Sequence, residues 1–227
     1  MQRLRLRFGR GEEVKFISHL DVVRFWERAF RRAGIPLAYS QGFRPHPRIA
    51  IAAPLAVGVT SEAELMDVWL NQWMPPESFV MKAKQQLSCG FSILEVYEMG
   101  LMSPSLQSSL AAAEYRVEVK SEKREQEVED SLNRLLQAKQ LRWQHSRGDR
   151  VHCYDLRALV NDLWIINHRG SSYVLGMRLR CDAGGSGRPE QVLAALGLSR
   201  YPESSHRTKL ILKGELGDWG KPSGSCS

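Results

Sequence analysis

Hydrophobic periodicity constrains this chain more than any other property, because it changes from a two-residue to a 3.6-residue period and back, and does so twice. Leu4-x-Leu6-x-Phe8 alternates apolar and polar residues, which predicts a half-buried strand at about 2–9 broken by Gly9 and Gly11. Leu20, Val22, Val23, Phe25, Trp26, Ala29, Phe30 and Ala33 then fall at helical spacing, capped by Ser18 and stopped at Gly34-Ile35-Pro36. Residues 35–39 and 49–53 read as extended, 64–70 alternates again, Pro75-Pro76-Glu77 opens a second helix to about residue 87, and 91–97 is strand-like. Strand, helix, strand, strand, helix, strand is the order of a ferredoxin-like unit.

A second such series follows. Tyr115-Arg116-Val117-Glu118-Val119 begins it, and a charged helix near 121–138 carries the apolar stripe Val128, Leu132, Leu135 and Leu136. Strand patterns near 151–157, 163–167 and 173–180, a helix opened by Arg188-Pro189-Glu190 and a strand near 208–212 complete it. The expectation is an α+β chain of two tandem ferredoxin-like units with antiparallel sheets: 1–99, a serine-rich linker at 100–112, 113–213, and a Gly/Ser tail at 214–227.

The chain has 227 residues, 43% of them hydrophobic and 25% charged, enough for either arrangement to bury a core. No apolar run approaches the roughly 20 residues of a membrane span, and Met1-Gln2-Arg3-Leu4-Arg5 lacks a signal-peptide core, so a cytoplasmic protein without membrane partners is expected. Cys89, Cys153, Cys181 and Cys226 are widely spaced and form no metal-ligand motif. No metal site is therefore expected, and the thiols read as reduced and structural.

Charge is unevenly placed along the sequence. Residues 1–50 hold 11 Lys+Arg against 4 Asp+Glu, a net of +7, while the remainder balances at 21 of each. A localised excess of this kind points to a polyanion-binding face; a solvated basic helix face is the bland alternative. The same stretch carries the unusual motifs. In 40–48, Gly42 can take positive φ while Pro45 and Pro47 stiffen their neighbours, so that Arg44, His46 and Arg48 sit at alternate positions of a pre-ordered loop. Phe43 and Tyr39 offer faces for stacking a base, and Ser40 belongs to the same loop.

At the start of the first helix, Ser18, His19 and Asp21 surround a terminus whose N–H groups favour anions, and Arg24 and Arg28 follow on its polar face. His19 and His46 could together serve metal-independent RNA cleavage as an acid–base pair. Asp67, alternating with apolar residues, reads as solvent-facing, and Asp155, Arg157 and Arg188 as structural contacts.

Phe16-Ile17-Ser18-His19-Leu20-Asp21, Ile35-Pro36, Tyr39-Ser40-x-Gly42-Phe43-x-Pro45-His46-Pro47 and Pro54-Leu55-x-Val57-Gly58 together resemble the radical SAM-linked family, domain of unknown function 2344, which is often fused behind a radical SAM domain. Asp155-x-Arg157-x-Leu159-Val160, Arg188-Pro189-Glu190-x-Val192-Leu193 and His206-Arg207-Thr208 fit its later blocks. The resemblance implies radical SAM chemistry, yet the chain has no C-x-x-x-C-x-x-C to hold a cluster. S-adenosylmethionine and [4Fe–4S] would then enter only through a separately encoded radical SAM partner, with no cofactor in this chain. The expected role is a non-catalytic RNA-binding module, for tRNA or rRNA, that presents substrate to that partner. Two alternatives stand beside it: an endoribonuclease using His19 or His46, with Gly184-Gly185-Ser186-Gly187 as a loose echo of a glycine-rich loop, and a protein-interaction domain without nucleic acid.

Overall fold

The computed structural model describes residues 1–147 and 150–214 and divides the chain into two compact units, Met1–Ser109 and Leu110–Ser227. The predicted tail at 214–227 lies, beyond Gly214, outside the described residues.

In the first unit, β1 (Gln2–Arg10) leads through a 3-10 turn to α1 (His19–Arg32), then β2 (Ile49–Ile51), β3 (Thr60–Leu70), α2 (Pro76–Lys84), β4 (Phe91–Met99) and a short α3 (Leu106–Ser109). Its strands run antiparallel in the order β4-β1-β3-β2, with Leu4 opposite Val68 and Glu98. Alternation along β1 sends Leu4, Leu6 and Phe8 into the core, where Val22, Trp26, Ala29 and Phe30 of α1 meet them. Phe8 and Trp26 touch edge to face at 5.1 Å, and Phe25 stacks on Phe91 at 4.1 Å. Truncating the fully buried Trp26 to Ala would cost about 3–5 kcal/mol. Helix α1 starts where Ser18 Oγ accepts the Asp21 N–H and ends at Gly34, whose φ of +64° suits glycine.

The opposite face of β1 holds the first correction. Asp67 does not face solvent: it is 0% exposed and accepts from Arg3 Nε and Nη2 (3.2 and 2.6 Å) and from Arg5 Nε and Nη2 (2.8 and 3.1 Å). Arg3 Nη1 and Nη2 also donate to the carbonyls of Ser103 and Pro104. Both sheet faces are thus occupied, and the alternation that marks a strand does not say what covers its polar side.

The second unit contains β5 (Leu110–Lys120), α4 (Glu125–Gln137), β6 (Arg142–Arg147), β7 (Arg150–Asp155), β8 (Val160–Arg169), β9 (Ser172–Asp182), β10 (Gly185–Ser186), α5 (Pro189–Ala195) and β11 (Ser204–Leu212). Strands β8, β9, β5 and β11 are neighbours in that order, all antiparallel, while β6 and β7 form a separate hairpin. Strand β6 has no counterpart in the sequence reading, because Arg142-Trp143-Gln144-His145-Ser146-Arg147 shows no apolar alternation. Strand β5 starts at Leu110, inside the segment read as linker, where Leu110, Ala112 and Ala113 are buried. Asp155 accepts the N–H groups of Leu141 and Arg157, and the Arg157 guanidinium donates to the Leu136 and Val160 carbonyls.

Candidate nucleic-acid interface

The 39–48 loop is a hairpin-like projection stitched to β3. Tyr39 and Pro47 form an antiparallel bridge, Ser40 N–H donates to His46 O (2.9 Å), and His46 N–H donates to Ser40 Oγ (3.1 Å). At its base, Arg48 N–H reaches Ala38 O and Ala38 N–H reaches Trp69 O, both 2.8 Å, while Trp69 N–H returns to Arg48 O at 3.0 Å. Gly42 takes φ +128°, which a side chain would resist. The tip presents Phe43 at 107% exposure, with Arg44 and His46 also exposed and Tyr39 44% exposed. An aromatic ring held fully in water on an ordered backbone is costly to leave uncovered and ready to stack.

Trp69 is a residue that sequence reasoning missed. Its ring carries the Arg48 guanidinium at 5.0 Å and that of Arg3 at 5.2 Å, so Arg48 is held by stacking at the loop base. The available signal was its two-residue offset from Asp67, which puts both on one face of β3.

The structure revises the charge reading. Of the 11 cations in 1–50, Arg3 and Arg5 pair with Asp67 and Arg7 pairs with Glu95. Arg10 is buried and donates to the Val14 and Ile17 carbonyls. Lys15, Arg24 and Arg31 face Glu12, Asp21 and Glu27, and Arg32 donates to Gln86 O. Arg28 and Arg44 are exposed and have no acidic partner among the described residues. Counted over whole units, 1–109 carries 13 basic and 10 acidic residues (+3) and 110–227 carries 19 and 15 (+4). The N-terminal excess is therefore neutralised largely by acids later in the same unit, and what remains exposed is local to the loop and to Arg28.

The helix-start cluster is built differently. Ser18 Oγ donates to Asp21 Oδ2 at 2.7 Å while accepting the Asp21 N–H at 3.2 Å, and Arg24 lies 3.5 Å from the same carboxylate. The Ser18 hydroxyl, with Arg24 behind it, holds the Asp21 carboxyl below its ordinary value. The positive helix end thus already faces an anion of its own chain, which opposes the expected anion site there. Burial, reinforced by Arg10 and opposed by Glu64, holds the His19 imidazole below its ordinary value.

His19 and His46 are not brought together. The helix start sits at the Arg10/Ser61 end of the sheet, where Arg10 reaches Ile17 O, and the loop base sits at Arg3/Trp69. Eight residue steps along β3 separate Ser61 from Trp69, about 25 Å at the usual strand rise. An acid–base pair needs a few ångströms, so the two-histidine cleavage centre is not formed. Ser18, His19, Asp21 and Arg24 make one cluster; Tyr39, Ser40, Gly42, Phe43, Arg44, His46 and Arg48 make the other. Among the described residues no group of His, Cys, Asp and Glu is arranged to hold a metal ion, and no helix is long and apolar enough to cross a membrane.

Fold and site together define an α+β protein with antiparallel sheets and a projecting aromatic–basic loop. The chain belongs to the DUF2344 family, described as uncharacterized proteins conserved in bacteria, whose model matches residues 3–189. No curated protein sequence matches it. Among solved structures it is similar to a chain of a Cbf5–Nop10–Gar1 complex, with 10% identity over 92% of this chain and 48% of that chain and a TM-score of 0.50. It is also similar to a chain of an H/ACA ribonucleoprotein bound to a substrate RNA containing 2'-deoxyuridine, with 9% identity over 91% and 47% and a TM-score of 0.48. The chain thus spans about half the length of these neighbours, and the first likeness is one of fold.

Proposed function

We propose that this protein is a cytoplasmic RNA-binding module, for tRNA or rRNA, that grips a single-stranded segment with the 39–48 loop and presents it to a separately encoded radical SAM enzyme. The observation that carries the reading is the fully exposed Phe43 between the unpaired Arg44 and the pinned backbone of Ser40 and His46. Such a ring stacks on any base, and one guanidinium beside it meets a phosphate. Fold likeness to a chain of the Cbf5–Nop10–Gar1 complex supports an RNA-associated fold by analogy only. The strand orders β4-β1-β3-β2 and β11-β5-β9-β8 are the same permutation, which supports two ferredoxin-like units in tandem. The radical SAM partner, bringing S-adenosylmethionine and the [4Fe–4S] cluster, rests on the family resemblance alone.

The test is filter binding of single-stranded RNA at rising salt. Phe43→Ala should weaken binding by about 1–3 kcal/mol at every salt concentration. Arg44→Ala should lower the slope of log affinity against log salt by about 1. RNA affinity that is absent in the wild type, or untouched by Phe43→Ala and Arg44→Ala together, refutes the reading.

A further inference from the structure

Within the second unit, two stretches distant in sequence, 154–159 and 180–191, meet around a cleft of about 460 Å³. They contain Asp155 and Arg188, which the sequence reads as structural contacts. A volume of this size lies within the range of small-molecule sites and is several times that of an inorganic anion.

The chemistry of its walls is specific. Arg180 gives Nε to Asp182, at 2.9 Å to each oxygen, and among the described residues neither terminal nitrogen has a protein acceptor. The guanidinium can lie where it does because residue 184 is glycine: a Cβ there would stand 2.3 Å from Arg180 Nη2. Asp182 is also engaged by the Gly184 N–H at 2.7 Å. Arg188, across the cleft lining, has among the described residues only Glu190 as an ion-pair partner, at 3.9 Å, with both side chains about half exposed (54% and 43%). Asp155, the acid in the lining, already accepts two backbone N–H groups, from Leu141 and Arg157. Two guanidiniums with unused donors therefore share one cleft, and the planar fork of arginine matches phosphate oxygens.

Part of the remaining wall, Tyr154, Ala158 and Leu159, is apolar and aromatic. Tyr154 donates to Gln191 Oε1 at 2.6 Å, which fixes its ring, and burial raises its phenol above the ordinary value so that the donor stays protonated. Leu159 lines the same space.

We propose that this cleft binds a nucleoside monophosphate, its phosphate held by Arg180 and Arg188 and its base against Tyr154 and Leu159. The site lies apart in sequence from the 39–48 loop and does not depend on that loop's function.

Calorimetric titration of the full chain with AMP, CMP, GMP and UMP, with adenosine and inorganic phosphate as reference ligands, tests it. At least one monophosphate should bind, and both reference ligands should bind at least about tenfold more weakly, since each forfeits one half of the contacts. Arg188→Ala should weaken the monophosphate at least about tenfold. Gly184→Ala should do the same, because its backbone needs no positive φ and a Cβ there would stand 2.3 Å from Arg180 Nη2 and 3.2 Å from Asp182 Oδ1, so the guanidinium must move. Phe43→Ala should leave this affinity unchanged even as it weakens RNA binding. Amide chemical shifts of the wild type should move at 154, 184 and 186 on adding the monophosphate, a readout independent of any variant's folding. No monophosphate binding, equal affinity for adenosine, unaltered affinity in both variants, or shifts confined to other residues would each overturn the proposal.

Discussion

Replacing Asp67 by Asn removes one negative charge from beneath two guanidiniums without changing the side-chain volume. In the native protein that carboxylate receives four hydrogen bonds, two from Arg3 and two from Arg5, with Asp67 0% and Arg3 2% exposed. Four charge-assisted bonds at about 1.5–3 kcal/mol each would overstate the loss, since Asn retains an acceptor and Arg3 retains the Ser103 and Pro104 carbonyls. The dominant effect is two buried cations left without a counter-charge, for which removal of one partner costs about 3–5 kcal/mol. Against a typical domain stability of about 5–15 kcal/mol this is severe, and about 4 kcal/mol lowers the thermal midpoint of a unit this size by about 15 °C or more.

Urea denaturation followed by circular dichroism and tryptophan fluorescence measures it, with the urea midpoint falling and the slope unchanged. Arg5→Met in the Asp67→Asn background should recover part of the loss, because Arg5 then leaves no orphaned cation; the coupling should be about 1–3 kcal/mol. A loss below about 1 kcal/mol, as for an exposed pair, would refute the account. It would mean that Arg3 and Arg5 are solvated and open to an anion, and would restore the basic-face reading of the N-terminal charge.

The RNA and monophosphate titrations described above are two further predictions, and two more follow from single residues. Because the folded pKa of His19 lies below its unfolded value of about 6.5, the unfolded chain binds more protons between the two values. The stability this imidazole contributes is present above about pH 6.5 and is lost as pH falls through the folded pKa. An NMR titration should place the His19 midpoint below about 6.5, and His19→Gln should flatten the stability–pH curve in that window. In β9, Gly176 lies opposite Trp164, and a Cβ would come within 2.0 Å of the indole. Gly176→Ala should destabilise the second unit by about 1–3 kcal/mol in thermal melts, and Trp164→Ala in the same chain should relieve the clash.

Element positions were legible because they depend on local periodicity. Leu4-x-Leu6-x-Phe8 and the Trp26/Phe30 stripe define β1 and α1 wherever the rest of the chain goes, and Ser18 and Gly34 mark the helix ends through their own backbone chemistry. The stiff loop was legible for the same reason, since Gly42, Pro45 and Pro47 act on their immediate neighbours. The pairing of charges was not. Arg3 and Asp67 are 64 residues apart and Arg7 and Glu95 are 88 apart, so a count over residues 1–50 omits the acids that neutralise those cations.

Local spacing was enough to specify an α+β order of strands and helices, a capped first helix and a pre-ordered 39–48 loop, because each follows from interactions within a few residues. Tertiary structure alone decided that Asp67 is buried rather than exposed, that His19 and His46 stand at opposite ends of a sheet, and that Arg180 and Arg188 share a cleft. Those facts depend on strand register and on which distant segments meet, and neither is set by the spacing of residues along the chain.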